Sequence, residues 1–370
     1  MKIFLLAAGN DIHSVRWANQ LLENGHQVHL CYLSNHKPAS DKFNREVKLH
    51  ELKVPSPAGY YLNVIQLKKL LREIKPDIFN VHYASGYGTL GRLVRYTPYL
   101  LSVYGSDVYD FPYSNKLNMH IIKKNLKAAD ELTSTSKAMA LQVSKLIDYQ
   151  IADSNITPFG VDTKKFCKFD ITKNDNELII GSIKKLAPKY GMKYGILAVD
   201  YLVHKLLPST ESQISLKYYI YGDGYEKKEL ETLVAERKLN HIVEFKGRIP
   251  NEKVPNALNE FDIFLGNSIL DSESFGVAIV EAMACEVPVI VTDVDGFKEV
   301  VDHGNAGIMV PRKDYVAMAN KILELINDSG KRENISKLER KRVVENYNWL
   351  DNVKKMESIY KKLIESSLSY

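Results

Sequence analysis

The segment 271–301 constrains the fold most, because a polar loop, an apolar helix and a strand follow one another along it. The alanine-rich part, 277–285, has the periodicity of a buried helix. The β-branched run 287–292 indicates a strand buried on both faces, as in parallel sheets. Gly276 stands where the helix starts, and free backbone N–H groups at such a start, with the positive end of the helix dipole, receive phosphates. The segment therefore predicts a loop, a helix and a strand that together can hold an anion.

Two acidic residues flank this helix start. Glu273 lies in the loop and Glu281 lies on the helix. If most of the interval is helical, the two carboxylates are at most about 12 Å apart, roughly the span from a sugar ring across a diphosphate to a ribose. A carboxylate accepts two hydroxyl hydrogen bonds at once, which suits such a ligand. The alternative is a loop carboxylate and a solvated helix residue with no ligand.

The string around these residues is Glu-x7-Glu, with Phe-Gly after the first Glu and Glu-Ala-Met-Ala at the second. It resembles the family 4 retaining glycosyltransferases. The resemblance implies an α/β fold of the GT-B type, in which two Rossmann-like doubly wound domains face a central cleft. It also implies that Glu273 is catalytic and contacts the transferred sugar, while Glu281 holds the nucleotide ribose. The donor diphosphate would meet the residues between them: Ser274, Phe275, Gly276 and Val277.

The resemblance also divides the chain into three parts. Residues 1–160 would form the N-terminal, acceptor-side Rossmann-like domain, and residues 161–347 the C-terminal domain that binds the nucleotide sugar. Residues 348–370 would form a helix that crosses back to the N-terminal domain. A polar shift in composition over 160–177 fits a linker at the first boundary.

Length and composition agree with a globular protein of more than one domain. A chain of 370 residues exceeds what one core usually spans. The net charge of +5 is too small to indicate nucleic acid as a partner, and no apolar run reaches 18 residues. The odd number of cysteines, three without CxxC spacing, suggests reduced thiols and a cytoplasmic location. The apolar start is expected to be the first strand and not a signal peptide.

The N-terminal domain opens with a predicted βαβ unit whose second strand is 27–33. Ligands bind beside the loop after the first strand in such sheets. His13 and Arg16 lie there as acceptor candidates, and a helix-capping or surface role is the alternative. Many family members carry two adjacent glycines in this loop, close to the diphosphate, whereas this chain has Gly9 alone.

A second loop, Tyr104-Gly105-Ser106-Asp107, follows another predicted strand. Family members often show His-Gly-Ser-Asp here, with the His near the transferred sugar. The resemblance therefore places Tyr104 and Asp107 at the donor, although a tyrosine replaces the histidine. By its own chemistry Asp107 either hydrogen-bonds a sugar hydroxyl or caps the following turn, and the cap is slightly favoured.

Two predicted helices between residues 115 and 146 carry an excess of basic side chains. The acidic residues in this stretch are Asp130 and Glu131, and the basic ones are Lys116, His120, Lys123, Lys124, Lys127, Lys137 and Lys145. A solvated face is the more common meaning of such a run. The alternative is peripheral docking on an anionic membrane, where each basic residue adds about 1 kcal/mol.

The loop after the first strand of the C-terminal domain carries Lys185 and Lys189, and two compact charges suit a polyanion. This stretch resembles the family's Gly-Arg-Leu…Lys-Gly, with Lys185 in place of the arginine. Both lysines are therefore expected to act with Glu273 in catalysis. The resemblance places the nucleotide base at the loop residues Arg248 and Ile249.

Two further motifs are interpreted as turns. Asp293-Val294-Asp295 is formally a DxD, the metal signature of the other large glycosyltransferase fold, but it follows a strand and precedes Gly296. Gly222-Asp223-Gly224 is typical of a strand-to-helix turn. No Cys/His cluster indicates a metal, so neither a metal nor a cofactor is predicted.

The expected activity is retaining transfer of a sugar from a nucleotide diphosphate, most readily UDP, to a glycan or a lipid-linked saccharide. The expected setting is synthesis of a surface polysaccharide or glycoconjugate, on the cytoplasmic side of the membrane. Two alternatives remain open: a nucleotide-sugar epimerase of the same architecture, and a catalytically silent subunit that binds a sugar nucleotide.

Overall fold

The computed structural model describes residues 1–39, 42–174, 176–209 and 215–368. Contacts divide the chain into two compact units: unit 1, Met1–Phe159 with Leu350–Tyr370, and unit 2, Gly160–Trp349. Residues 369 and 370, the end of the predicted segment 348–370, lie outside the described residues. Within the described part of the chain, no helix is both long enough and apolar enough to cross a bilayer.

Unit 1 is built on a six-stranded sheet in the order β3-β2-β1-β4-β5-β6, with every neighbouring pair parallel. Its strands are β1 (Lys2–Leu6), β2 (Gln27–Leu33), β3 (Lys48–Leu52), β4 (Ile78–His82), β5 (Tyr99–Val103) and β6 (Glu131–Ser134). Its helices are α1 (Ile12–Glu23), α2 (Gly59–Leu62), α3 (Val64–Ile74), α4 (Gly86–Val94), α5 (Ser106–Tyr109), α6 (Lys116–Lys127) and α7 (Lys137–Leu146). The strand predicted over 27–33 is confirmed.

The centre of this sheet is apolar because helices cover both of its faces. All residues of β4 and β5 are buried, and Leu5 of β1 pairs with Leu30 on one side and Asn80 on the other. The strand order reverses beside β1, since β2 lies on one side of it and β4 on the other. In such sheets the crevice at the carboxyl ends of the strands is where ligands bind.

Unit 2 repeats this architecture with the parallel order β12-β11-β10-β7-β8-β9. Its strands are β7 (Glu177–Ile183), β8 (Ser215–Tyr221), β9 (Val243–Gly247), β10 (Ile263–Gly266), β11 (Val289–Thr292) and β12 (Ile308–Val310). Its helices are α8 (Met192–Tyr201), α9 (Lys227–Glu236), α10 (Val254–Glu260), α11 (Val277–Ala284), α12 (Asp295–Val300), α13 (Tyr315–Asn327) and α14 (Ser329–Asn346). Here the order reverses between β7 and β10, which places a second crevice at their carboxyl ends.

The last helix, α15 (Trp349–Leu368), begins at the unit boundary. Tyr360 on this helix is buried in unit 1, and its hydroxyl donates to Oδ1 of Asn80 at 2.8 Å. The amide of Asn80 in turn donates to the Leu100 carbonyl and the Ser102 hydroxyl. The helix is thereby joined to the centre of the unit 1 sheet through a satisfied polar side chain.

His82, the last residue of β4, makes the stability of unit 1 sensitive to acid. It is 1% exposed, and burial lowers the pKa of its imidazole from the usual 6.5 to about 3. Between those pH values the unfolded chain binds a proton that the folded chain does not. The free energy of unfolding therefore falls by about 1.4 kcal/mol for each unit by which the pH is lowered. When the pH is lowered from 6.5 to 5, the free energy of unfolding of His82→Gln, measured in urea, should fall by about 2 kcal/mol less than that of the wild type. Parallel pH profiles for the two proteins would contradict this.

Candidate active site

The predicted catalytic loop lies at the carboxyl end of β10, beside β7, at the point where the strand order of unit 2 reverses. Although its sequence is polar, the loop is packed into the protein, and its buried residues are Ser272, Glu273, Ser274 and Phe275. A Cβ on Gly296 would lie 2.4 Å from the Glu273 carbonyl oxygen, so only glycine permits the loop to pack against the start of α12. The loop is therefore positioned by close backbone contact.

The carboxylate of Glu273 forms an ion pair with Lys184, the residue that follows β7. The distance from Lys184 Nζ to Glu273 Oε1 is 2.8 Å, and the two side chains are only 27% and 9% exposed. Burial alone would lower the pKa of Lys184, but the charge and hydrogen bond of Glu273, together with Tyr190 and Glu281, outweigh this effect and raise the pKa above its ordinary value. Lys184 is therefore cationic at neutral pH, with its charge held beside the loop.

An aromatic ring adjoins this pair. Tyr190 lies with its ring centroid 4.7 Å from Nζ of Lys184 and 4.9 Å from Nζ of Lys189. The negative face of a tyrosine ring attracts ammonium groups at such distances. Tyr190 thus contacts both Lys184 and Lys189, and it links the predicted Lys189 to the residue that pairs with Glu273.

Helix α11 starts at this loop, as predicted. Gly276 precedes it with φ +87°, in the left-handed region, and a Cβ there would lie 2.6 Å from the ring of Phe297. The helical hydrogen bonds begin with the N–H of Ile279, and N–H groups ahead of such a point have no intrahelical acceptor. Glu281 lies about one turn into the helix and is 9% exposed. The arrangement provides N–H donors and the positive end of the helix dipole close to two carboxylates.

The sequence prediction named Lys185 where the structure has Lys184 in contact with Glu273. Lys185 is exposed and lines an open pocket of about 530 Å³ together with Lys184, Arg248 and Ile249. The predicted base-binding residues and Lys185 are therefore brought together, but the ion pair belongs to the preceding residue. Side chains alternate along a strand, and Ser182, two residues before Lys184, already contacts the β10 backbone. Lys184 therefore lies on the same side of the chain as Ser182, towards β10.

The segment Gly222-Asp223-Gly224 forms part of the wall of this pocket, and both of its glycines are required by close backbone contacts. A Cβ on Gly222 would lie 1.8 Å from the carbonyl oxygen of Lys184, and one on Gly224 2.0 Å from that of Leu186. The Lys184 N–H donates to the Tyr221 carbonyl at 2.9 Å, and the Leu186 N–H donates to Asp223 at 3.0 Å. The two loops are joined by backbone hydrogen bonds, which position Lys184.

We therefore expect Gly224→Ala to displace the segment that carries Lys184, because the clashing atom is a backbone oxygen. The overpacking should destabilise unit 2 by about 1–3 kcal/mol and weaken binding of the nucleotide expected from the sequence, as measured by urea unfolding and by calorimetry with UDP. Gly330→Ala is the control, since the nearest atom to its new Cβ is 3.5 Å away. It should leave the affinity for UDP unchanged and should not lower stability, because alanine is favoured over glycine in α14. Equal UDP affinity in Gly224→Ala and the wild type would contradict the role assigned to this glycine.

The DxD sequence forms part of an ion-pair network that fixes the predicted catalytic loop. Arg312 donates to both carboxylate oxygens of Asp271 at 3.2 and 3.0 Å and, through Nε, to Asp293 at 3.2 Å. Burial alone would raise the pKa of Asp271, but the Arg312 bonds hold it below its usual value. In the described ranges no group of three or more His, Cys, Asp or Glu side chains is placed to hold a metal ion. Arg312, distant in sequence, had not been predicted.

In unit 1 the predicted residues lie at the carboxyl ends of β1, β4 and β5. The ring of His13 stacks on Phe159 with centroids 3.6 Å apart, and Tyr104 packs edge-on against Phe159 at 4.9 Å. Tyr104 is 9% exposed, and its hydroxyl has no hydrogen-bond partner among the residues described. Tyr83, also against Tyr104, adopts φ +70°, which is uncommon for a residue with a side chain and frequent at functional sites. Tyr83 had not been singled out from the sequence.

Asp107 has the capping role that its chemistry favoured, and its contact with the donor stays a prediction. Its buried carboxylate accepts backbone N–H bonds at 2.8 Å from Ala84, 3.2 Å from Tyr104 and 2.8 Å from Gly105. Both oxygens are thus engaged in holding two loops. Gly9 is packed as well, since a Cβ there would lie 2.7 Å from the ring of Pro38. Arg16 is half-buried on α1.

Family models match both halves of the chain. Residues 163–342 match the model described as glycosyl transferases group 1, and residues 2–136 match the model described as glycosyl transferase 4-like. The chain is 24% identical over 363 residues to N-acetyl-alpha-D-glucosaminyl L-malate synthase of Bacillus anthracis, covering 95% of this chain and 93% of that protein. It is 28% identical over 255 residues to the putative teichuronic acid biosynthesis glycosyltransferase TuaC of Bacillus subtilis, covering 68% and 61%.

Solved structures share the fold over nearly the whole chain. Sucrose-phosphate synthase from Thermosynechococcus elongatus superposes with a TM-score of 0.84 at 19% identity, covering 99% of this chain and all of that one. HepE of Anabaena, solved in complex with UDP, has a TM-score of 0.76 at 16% identity, covering 98% and 100%. The two family models and the curated relatives show that the chain is a glycosyltransferase, and its two parallel six-stranded sheets and the solved structures show the predicted α/β GT-B fold.

Proposed function

We propose that this glycosyltransferase moves a sugar from a UDP-linked donor to a saccharide or lipid-linked saccharide, with retention at the anomeric carbon and without a metal ion. The observation that carries the proposal is the convergence of Glu273, Lys184 and the start of α11 in one crevice of unit 2. An anion, a cation and free N–H donors together match a sugar and the diphosphate attached to it. HepE, with the same fold, was solved with UDP, and TuaC is named for polysaccharide biosynthesis.

In this mechanism the donor diphosphate lies at the start of α11, where backbone N–H groups and the ammonium group of Lys184 neutralise the charge that develops on it. Glu273 accepts hydroxyl hydrogen bonds from the transferred sugar, and Glu281 accepts them from the ribose. The bond from the anomeric carbon to the phosphate oxygen breaks as the bond to the acceptor oxygen forms on the same face. The acceptor proton passes to the departing phosphate oxygen, so the products are the glycoside and UDP.

The acceptor side is assigned to unit 1. His13 and Arg16 remain acceptor candidates, and the ring cluster at the ends of β1, β4 and β5 provides an apolar wall with polar groups beside it. Such walls with few polar groups are typical of sites for small organic ligands. Tyr104, predicted at the donor, is reassigned by this proposal to the acceptor wall. The cytoplasm is the proposed location, consistent with the three unpaired cysteines.

Donor turnover with an analysis of the product tests the proposal. Thermal unfolding in the presence of UDP-, GDP- and ADP-linked sugars identifies the donor, because a ligand raises the melting temperature with the logarithm of its concentration over Kd. Incubation with oligosaccharide acceptors in EDTA, followed by NMR of the anomeric proton, should give a product with the donor's configuration. An inverted product or loss of activity in EDTA would contradict the mechanism. Conversion of the donor to its epimer without transfer would favour the epimerase alternative.

A further inference from the structure

One surface of unit 1 combines exposed apolar and basic side chains. On helices α2 and α3, Tyr61, Leu62 and Ile65 are 50%, 67% and 82% exposed. The next two turns carry the basic residues Lys68, Lys69 and Arg72. On α3, at about 100° per residue, Ile65, Lys68, Lys69 and Arg72 fall within roughly one third of the helix circumference. Tyr61 and Leu62 precede them on α2, across the turn at Asn63. We call these six residues the α2–α3 face; the opposite side of α3 packs into the core through Leu67 and Leu71.

The α2–α3 face lies at the edge of unit 1 that carries the acceptor candidates. Helix α2 follows β3, so its start is at the carboxyl ends of the strands. The ring of Tyr60 lies edge-on to Tyr87 at 5.4 Å and so close to Gly86 that a Cβ there would be 2.3 Å away. These contacts place α2 beside the start of α4 and the loop that contains Tyr83.

Helix α6 repeats the pattern. Leu117, in its first turn, is 66% exposed, and His120 and Lys124 follow on the same side one and two turns later. Both α3 and α6 pack against α4. On each helix the exposed apolar residues are at the end near the carboxyl edge of the sheet, and cations follow on the same side further along; on α6 the exposed Lys116 also precedes Leu117. Helices α3 and α6 of unit 1 therefore both expose apolar side chains first and basic side chains after them on the same side.

This order of groups fits an anionic lipid surface. Helices that lie in a membrane interface bury an aliphatic and aromatic row below the headgroups and keep lysines at the level of the phosphates. The cations of the α2–α3 face are mostly lysines on flexible stems, which suit a fluid layer of headgroups better than a fixed carboxylate. Acidic side chains are few here, and Glu73 pairs with Lys69 only at 3.8 Å.

We propose that the α2–α3 face, together with the start of α6, docks on an anionic membrane surface. Docking would bring a lipid-linked acceptor to the carboxyl edge of the unit 1 sheet, and this second part rests on the proposed function. The docking itself is independent of turnover. It therefore stands or fails separately from sugar transfer.

Sedimentation of the full chain with vesicles tests the docking. Wild type should bind phosphatidylcholine vesicles that contain about 30 mol% phosphatidylglycerol and should not bind phosphatidylcholine alone. Because each basic residue near such a surface contributes about 1 kcal/mol, or about fivefold, Lys68→Gln/Lys69→Gln/Arg72→Gln should bind roughly 100-fold more weakly. The matched control is Lys228→Gln/Lys253→Gln/Lys341→Gln on unit 2, which changes the net charge equally at exposed lysines. Equal losses in both triple variants would overturn the proposal.

Insertion is measured with Ile65→Trp. The native tryptophans, Trp17 and Trp349, are 2% and 6% exposed, so they should form a constant background. The emission of the introduced indole should shift to the blue on addition of phosphatidylglycerol vesicles and be quenched by brominated acyl chains. Leu62→Ser in this background should reduce the shift, whereas Leu338→Ser, at a 53% exposed position on unit 2, should not. A shift with polyglutamate but not with vesicles would overturn the proposal and indicate an acidic protein as the partner.

Discussion

Replacement of Glu273 by glutamine is expected to reduce the rate of sugar transfer severely while leaving UDP binding partly intact. The amide keeps the shape of the side chain but loses one of the two acceptor oxygens and the charge that faces Lys184 at 2.8 Å. Loss of such a preorganised electrostatic contact typically lowers kcat by about 100- to 1,000-fold. Transfer rates and the Kd for UDP, measured by calorimetry on the same preparation, separate the two effects.

A stability control is necessary because Glu273→Gln leaves Lys184 in a partly buried site without its anion. We expect a loss of about 1–3 kcal/mol in urea unfolding, since Lys184 retains some solvent contact. Glu324→Gln, which removes a carboxylate paired with Lys321 on α13, changes the charge of unit 2 equally and should keep full activity. If Glu273→Gln transferred sugar at the wild-type rate with native stability, the assignment of the donor sugar to this loop would be wrong.

The elements around this loop were predictable because their signals are local. The strand over 27–33 and the helix that starts after Gly276 follow from runs of apolar residues and from a glycine with a left-handed backbone. Glu273 could be located for the same reason, since its position relative to that helix is fixed by a few residues of chain.

The contacts that join distant segments were not predictable in this way. Arg312 reaches Asp271 across 41 residues, and nothing near either residue indicates the other. Gly222 and Gly224 have a local appearance typical of a turn, but the atoms that exclude a side chain belong to Lys184 and Leu186. Sequence patterns report which residues share an element, whereas these contacts depend on the order of strands in the sheet.

The choice between Lys184 and Lys185 shows the same limit at the scale of one residue. Neighbouring side chains at a strand end point to opposite sides, so a shift of one residue moves the charge from the loop to solvent. The resemblance to the family's Arg-Leu pair favoured Lys185, and the ion pair with Glu273 selects Lys184.

Lys184→Met is therefore expected to lower kcat/KM by at least about 100-fold, whereas Lys185→Met should lower it by no more than about fivefold. The first substitution removes a cation held at the donor loop; the second removes an exposed charge, and exposed charges contribute about 1 kcal/mol or less. Lys184→Arg should restore part of the activity because it keeps the charge. A larger loss in Lys185→Met than in Lys184→Met would show that Lys185 is the residue that meets the diphosphate.

The double variant Lys184→Met/Glu273→Gln decides whether the pair acts as one unit. Each single variant leaves a polar group without its partner, and the double variant removes both charges together. If the ion pair positions the two groups for one donor, the double variant should lose little more activity than either single variant and should unfold at a higher urea concentration than Lys184→Met. If the two residues act independently, the losses in kcat/KM of the single variants should multiply to roughly 10,000-fold in the double variant. Measurement of kcat/KM for the wild type, both single variants and the double variant with the same donor distinguishes these outcomes. The coupling energy is the effect of the double variant minus the sum of the effects of the two single variants.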